Sequence, residues 1–112
     1  MSKVEVTQVA VKSLIMLSRY MAEFISPTEV LTLASQLLNL SQQRLSDNPL
    51  QFPLCHELER LGVTDYRQIT VDKYKVLYRY DPRLDTAFIT AFMRQKQSAQ
   101  QLLIDYNLFA TS

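Results

Sequence analysis

One cysteine, one histidine and one glycine are all that these 112 residues hold of three residue types on which much protein chemistry depends. A lone Cys55 cannot close a disulfide within the chain and argues against a cysteine-based metal site. With Gly62 as the only glycine there is no loop to cradle nucleotide phosphates, and the HExxH, cysteine-pair and calcium-loop spacings are missing as well. No metal site and no cofactor are therefore expected. Long apolar runs are lacking too: none approaches the roughly 20 residues that cross a bilayer. The start Met1-Ser2-Lys3-Val4-Glu5 has neither the basic nor the apolar region of a secretory leader, so a cytoplasmic protein without a membrane partner is expected.

What is present suits one globular domain over 1–112: 47% hydrophobic and 21% charged residues, with six tyrosines and five phenylalanines. The net charge of +1 is too small to steer the whole chain to polyanions. It is unevenly spread, because residues 60–96 carry eight Lys/Arg against four acids and the flanks are net acidic.

A short strand fits Lys3 to Thr7. Beyond it, Ala10, Leu14, Leu17, Met21 and Phe24 recur at three- and four-residue spacing, which predicts a helix with a broad buried face. Ser26-Pro27-Thr28-Glu29 joins an N-cap serine, a proline in the first turn and a glutamate placed for a capping box, so a second helix starts there and forms a hairpin with the first. Asp47-Asn48-Pro49 stops it, and Leu54 to Leu61 fits a short helical turn. From Tyr66 the period becomes two. Arg67, Ile69 and Val71 share a face, as do Tyr74, Val76, Tyr78 and Tyr80, and a two-residue turn at Asp72-Lys73 would set Val71 opposite Tyr74, Ile69 opposite Val76 and Arg67 opposite Tyr78. Asp81 to Asp85 is turn chemistry. Thr86 to Met93 then alternates Ala87, Ile89, Ala91 and Met93 with Phe88, Thr90 and Phe92, the mark of a strand covered on both sides. Helical spacing returns from Gln95 through Ala99, Leu102, Leu103, Tyr106 and Phe109. The fold class read from pattern is α+β: an N-terminal helical hairpin on a small antiparallel meander, with a C-terminal helix.

Catalytic candidates are few. Cys55 and His56 are chain neighbours, which does not make them a nucleophile-base pair, and both are read as parts of a connector. Metal-free RNA cleavage would need a base, an acid and cations around the phosphate. Lys75, Arg79, Arg94 and Lys96 offer the cations, while only tyrosines and turn aspartates remain for the proton transfers.

The run Leu58-Glu59-Arg60-Leu61-Gly62-Val63-Thr64-Asp65-Tyr66-Arg67-Gln68-Ile69-Thr70-Val71, continued by Asp72-Lys73-Tyr74-Lys75-Val76-Leu77-Tyr78-Arg79-Tyr80-Asp81, resembles the sheet core of the RelE/ParE toxins. Ala91-Phe92-Met93-Arg94-Gln95-Lys96-Gln97 is similar to the same superfamily's final strand, with Phe92 where many members carry histidine. The resemblance implies the toxin of a type II toxin-antitoxin pair, bound by a cognate antitoxin in a hetero-oligomer that reaches operator DNA through the antitoxin. RelE-like members cut messenger RNA on the ribosome, whereas ParE-like members poison DNA gyrase. The tail Gln95-Lys96-Gln97-Ser98-Ala99-Gln100-Gln101 lacks the arginines and tyrosine of the RelE cluster, which favours the ParE side. The expected function is thus non-enzymatic gyrase inhibition, with Arg67, Arg79 and Arg94 contacting the target. Two alternatives remain: a ribosome-dependent endoribonuclease using Lys75, Arg79, Arg94 and Lys96, and an inactive homologue that only binds its antitoxin.

Overall fold

Thr7 fixes where the first helix begins. Its hydroxyl accepts from the Ala10 amide (3.1 Å) and donates to the Ile89 carbonyl (2.8 Å), so one side chain caps the helix and pins it to a strand. In the computed structural model, which describes residues 1–106, strand β1 (Lys3–Val6) runs into helix α1 (Gln8–Met21), and a short link leads to α2 (Pro27–Asp47). The expected capping box closes α2: Ser26 and Glu29 exchange side-chain-to-amide bonds at 3.2 and 3.3 Å. At the other end of α2 the Ser46 carbonyl accepts from the Ser2 amide (3.0 Å), which brings the helix back to the chain start and makes the hairpin antiparallel.

A single turn, α3 (His56–Glu59), precedes β2 (Arg67–Val71), β3 (Tyr74–Asp81), β4 (Thr86–Arg94) and α4 (Ala99–Asp105). The sheet order is β1-β4-β3-β2. β2, β3 and β4 form the antiparallel meander, and the pairs Val71–Tyr74, Ile69–Val76 and Arg67–Tyr78 all form as expected. Asp72 adopts a φ of 52° in the connecting turn, a left-handed conformation that a short polar side chain tolerates. β1 adds parallel to β4, so the sheet is mixed and β4 is a central strand. Along the outer edge of β2 runs the extended segment around Leu54, with the Gln68 amide donating to the Pro53 carbonyl (3.0 Å) and the Cys55 amide to the Tyr66 carbonyl (2.9 Å).

Two details differ from the sequence pattern. Ala87, Ile89, Ala91 and Met93 do not share one face. The register steps from Leu77 opposite Ala91 to Tyr78 opposite Ile89, leaving Thr90 as the extra residue of a β-bulge. Ala87, Ile89 and Phe92 consequently pack under the helical hairpin with Tyr74, Val76 and Tyr78, while Ala91 and Met93 join Leu77, Cys55, Leu58, Leu102 and Leu103 on the opposite side. Secondly, α4 starts at Ala99 rather than Gln95, because Ser98 caps it by accepting from the Gln101 amide (3.1 Å). Phe109, assigned to the same helix by its spacing, lies outside the described residues.

The bulge has a dedicated partner. Ser13, buried on α1, accepts from the Phe92 amide at 2.9 Å and donates to the Ala10 carbonyl at 2.7 Å. Ser13→Ala is expected to leave that amide unpaired and to cost about 1–3 kcal/mol, the usual penalty for a buried unsatisfied donor. A urea titration of the variant checks this, and Ser13→Thr should recover part of the loss if it reaches the same amide.

Candidate functional site

The basic residues of 60–96 fall at separate places on the sheet. Arg67 and Tyr78 are cross-strand partners at the far end of β2, and the Arg67 guanidinium donates to the Phe52 carbonyl at 2.6 Å. It therefore anchors the segment between α2 and α3 and is itself half-buried. Arg79 is exposed, with its guanidinium 4.6 Å from the centre of the Phe88 ring. With Arg83, Tyr66 and Tyr80 these two arginines line a concavity of about 840 Å³ that also holds Asp65 and Asp81. Burial pushes the Tyr66 phenol above its ordinary range, against the pull of the Arg79 charge. Tyr80 is raised as well, first by donating to Asp85 at 2.7 Å.

Arg94 stands elsewhere. It pairs with Tyr74, five residues along β3 from Arg79, a separation of about 16 Å at the usual strand rise. The two arginines also take opposite faces, since Arg79 follows Lys75 and Leu77 whereas Arg94 stacks 4.0 Å over the ring of Tyr20 on α1. Lys73, Arg94 and Lys96 line a cavity of about 510 Å³ beside Met21 and Tyr74, with Asp72 its one carboxylate. The Gln95 side chain donates to the Asp72 carbonyl and its backbone amide to the Lys73 carbonyl (2.9 Å), tying the β2–β3 turn to the end of β4.

Lys75 is not available to a phosphate. Its side chain is 7% exposed beneath α3 and α4, with the ammonium 4.0 Å from Glu57. This corrects its place in a four-cation nuclease cluster: alternation along β3 turns Lys75 inward with Leu77, and the terminal helix closes over it. Sequence reasoning missed Glu57, the most heavily bonded carboxylate among the described residues. It accepts from the Ser98 hydroxyl (2.6 Å) and from the amides of Ala99 (2.8 Å) and Gln100 (3.1 Å) at the start of α4. Burial alone would raise its pKa, but those three donors and the Lys75 charge outweigh burial and hold it below the ordinary value. No local motif marks this role, because the donors come from a segment 41–43 positions later in the chain. Tyr20 was also missed; Phe24, which the spacing placed on the same helix, lies beyond the end of α1 at Met21, with its ring against that of Tyr20.

Cys55 is buried in the second core and His56 is exposed, 3.9 Å from Glu59. No cluster of metal-ligating side chains occurs among the described residues, and no described helix is long and apolar enough to cross a membrane. Between α1 and α2 lies an apolar groove of about 470 Å³, with Val11, Leu14, Ile15, Val30, Ala34 and Leu38 in its walls.

No family model matches this chain, and no curated protein matches it by sequence. Similar solved structures do exist. A chain of the chromosomal ParDE toxin-antitoxin system from P. aeruginosa superposes with a TM-score of 0.67 at 16% identity, covering 84% of this chain and 96% of that one. One from the toxin-antitoxin complex RelBE2 of Mycobacterium tuberculosis gives 0.60 at 20% identity, over 86% and 93%. The isolated E. coli RelE toxin gives 0.51 at 12% identity, over 96% and 99%. The chain has the fold of the RelE/ParE toxins.

Proposed function

We propose that this protein, acting as one domain, is the toxin of a type II toxin-antitoxin pair and inhibits DNA gyrase by binding rather than by cleaving RNA. One observation carries the choice of mechanism. Cleavage by Lys75, Arg79, Arg94 and Lys96 without a metal needs these four cations to converge on one phosphate, and here Lys75 is enclosed while Arg79 and Arg94 lie on opposite faces. The fold shared with the ParDE and RelBE2 chains supports the toxin reading. A cognate antitoxin would lay apolar side chains in the α1–α2 groove, the kind of surface an amphipathic segment covers, and would link the complex to operator DNA. Arg79 and Arg67, which both line the concavity of about 840 Å³, are the target contacts on this reading, with Arg94 a third at the other end of β3.

The test adds purified protein to a gyrase supercoiling reaction and, in parallel, to a translation extract. Loss of supercoiling with accumulation of cleaved DNA is expected. Arg79→Ala should raise the concentration for half-inhibition by about 10- to 100-fold, since a lost charge-assisted hydrogen bond is worth about 1.5–3 kcal/mol, with folding unchanged because the side chain is exposed. Unchanged supercoiling together with ribosome-dependent cleavage of mRNA would overturn the proposal. Expression without growth arrest would point instead to a homologue that only binds its antitoxin.

A further inference from the structure

On the sheet face that looks away from the helical hairpin, α4 and the turn of α3 cover the end with Leu77, Ala91 and Met93. At the other end three strands present a row in register. Glu5 on β1 lies beside Phe88 on β4, and Phe88 beside Arg79 on β3. Two residues along the strands, Lys3 lies beside Thr86 and Thr86 beside Asp81. Their neighbours Val4, Ala87, Tyr78 and Tyr80 pack in the core under the hairpin, so alternation turns the side chains of both rows to the open face. Phe88 belongs to neither core among the described residues, and the Arg79 guanidinium lies 4.6 Å from its ring centre. Lys3, Glu5 and Arg79 are exposed and enter none of the ion pairs among the described residues. Asp81 is partly engaged, accepting from the Arg83 amide and lying 4.0 Å from the Arg83 guanidinium. A sheet face that stays in water is polar at its centre; this one has a phenylalanine there, with an acid on one side and a base on the other.

We infer that a second copy of the chain docks on this open half of the sheet, forming a two-fold dimer face to face. The charge pattern selects that occupant, because it is complementary to itself. A two-fold axis lying in the interface along β4 exchanges the β1 and β3 sides, so the row of acid, ring and base meets its own reverse. Glu5 then stands opposite the partner's Arg79, Phe88 against the partner's Phe88 and Lys3 opposite the partner's Asp81, across the roughly 10 Å between packed sheets. Resting on Phe88 fixes the plane of Arg79 and leaves its fork for the partner's carboxylate, so docking costs that side chain little freedom. Other occupants fit less well. A nucleic-acid backbone would meet Glu5 and Asp81, and a protein segment of one charge sign would be repelled on one side of the row. An interface three strands wide is small and therefore weak, so dissociation on the order of 10 μM is expected. Association covers Arg79, so on the gyrase reading the dimer withholds a target contact and the monomer is the inhibiting form. The dimer itself stands whichever macromolecule the toxin inhibits.

Sedimentation velocity of the full chain, from about tenfold below to about tenfold above that concentration, tests the inference. The weight-average mass is expected to rise from that of one chain toward that of two, and to fall back as salt is raised. Glu5→Arg alone and Arg79→Glu alone each set like charges opposite one another at both symmetric positions, so each should weaken the dimer about tenfold or more. Mixed in equal amounts, the two variants should regain association, since each then meets in the other the charge it lacks. Both positions are exposed, so the variants keep the fold, which circular dichroism verifies, and a misfolded variant would not be rescued by mixing. The mass of one chain at every concentration, a dimer untouched by either reversal, or a mixture that stays monomeric would overturn the proposal. Mass is read without gyrase, so this inference and the gyrase reading fail separately.

Discussion

Replacing Tyr78 with alanine is expected to remove about 3–5 kcal/mol of stability, a large share of the roughly 5–15 kcal/mol that holds a domain of this kind together. Tyr78 heads the fully buried side chains ranked by volume. Its ring meets Phe52 edge-on, with centroids 6.3 Å apart and planes at 89°, and its hydroxyl donates to the Pro49 carbonyl at 2.5 Å. Tyr78 also sits at the bulge, opposite Ile89 on one side and Arg67 on the other. Truncation would open a cavity, strand the Pro49 carbonyl and loosen the segment that Arg67 holds through Phe52. Tyr78→Phe separates these effects. The ring stays and only the carbonyl loses its donor, so about 1–3 kcal/mol should go. Urea midpoints for the two variants supply the comparison, and equal losses would mean that ring packing contributes nothing here.

Alkaline titration probes the same residue. Burial pushes the Tyr78 phenol up to about 12, against the opposing pull of the Arg67 charge. A folded-state value above the unfolded one means that the native protein holds this proton more tightly. Its contribution is therefore complete below about pH 10 and is lost as pH rises toward 12. Tyr78→Phe should flatten the decline of stability in that window.

Loss of Glu57 should be the next most damaging change. Glu57→Ala leaves the Ser98 hydroxyl and the amides of Ala99 and Gln100 without their acceptor, and leaves the buried Lys75 ammonium without a counter-charge. Removing one partner of a fully buried pair costs about 3–5 kcal/mol; Glu57 is partly open to solvent, so about 2–3 kcal/mol is expected. The damage should be local first. Amide exchange at Leu102 and Leu103 would accelerate before that of Val76 or Ile89, because α4 is joined to the rest through this carboxylate and one apolar face. Adding Lys75→Met should restore part of the loss by removing the stranded charge, and a double variant no better than Glu57→Ala would refute the ion-pair account. The sign with pH opposes that of Tyr78. A depressed carboxylate contributes fully above its ordinary range and is lost as pH falls through its lowered folded value, so α4 should loosen on acidification.

Both residues show how far the chain could be read from pattern alone. The pairing of Tyr78 with Arg67 follows from a two-residue turn and a period of two, and the structure has it. Its bond to Pro49, 29 positions away, has no local signature. Ser13 looks like an ordinary helical serine until the bulge leaves the Phe92 amide facing it. The bulge itself was hidden because Thr90 fits an unbroken alternation; only the pull of two separate cores makes the strand exchange faces there.

For the candidate site the residue types were legible and their grouping was not. Sequence marked 60–96 as the basic region and named Arg67, Arg79 and Arg94, but a run of side chains along strands says little about which ones meet in space. Alternation sends Lys75 inward and Arg79 outward on one face, while Arg94 turns to α1 on the other.

By itself the sequence determined the order of the elements, the helical hairpin, the meander and the register of β2 on β3, and the absence of the glycine-loop, histidine and cysteine motifs that metals and nucleotides need. These depend on neighbours a few positions apart, through caps, turns and the two periodicities of side-chain direction. Only the tertiary structure decided the parallel addition of β1, the bulge at Thr90, the Glu57 anchor of α4, the burial of Lys75 and the stacking of Arg94 on Tyr20. Each joins residues far apart in the chain, and which of them meet is settled by the packing of two cores on one sheet rather than by any local preference.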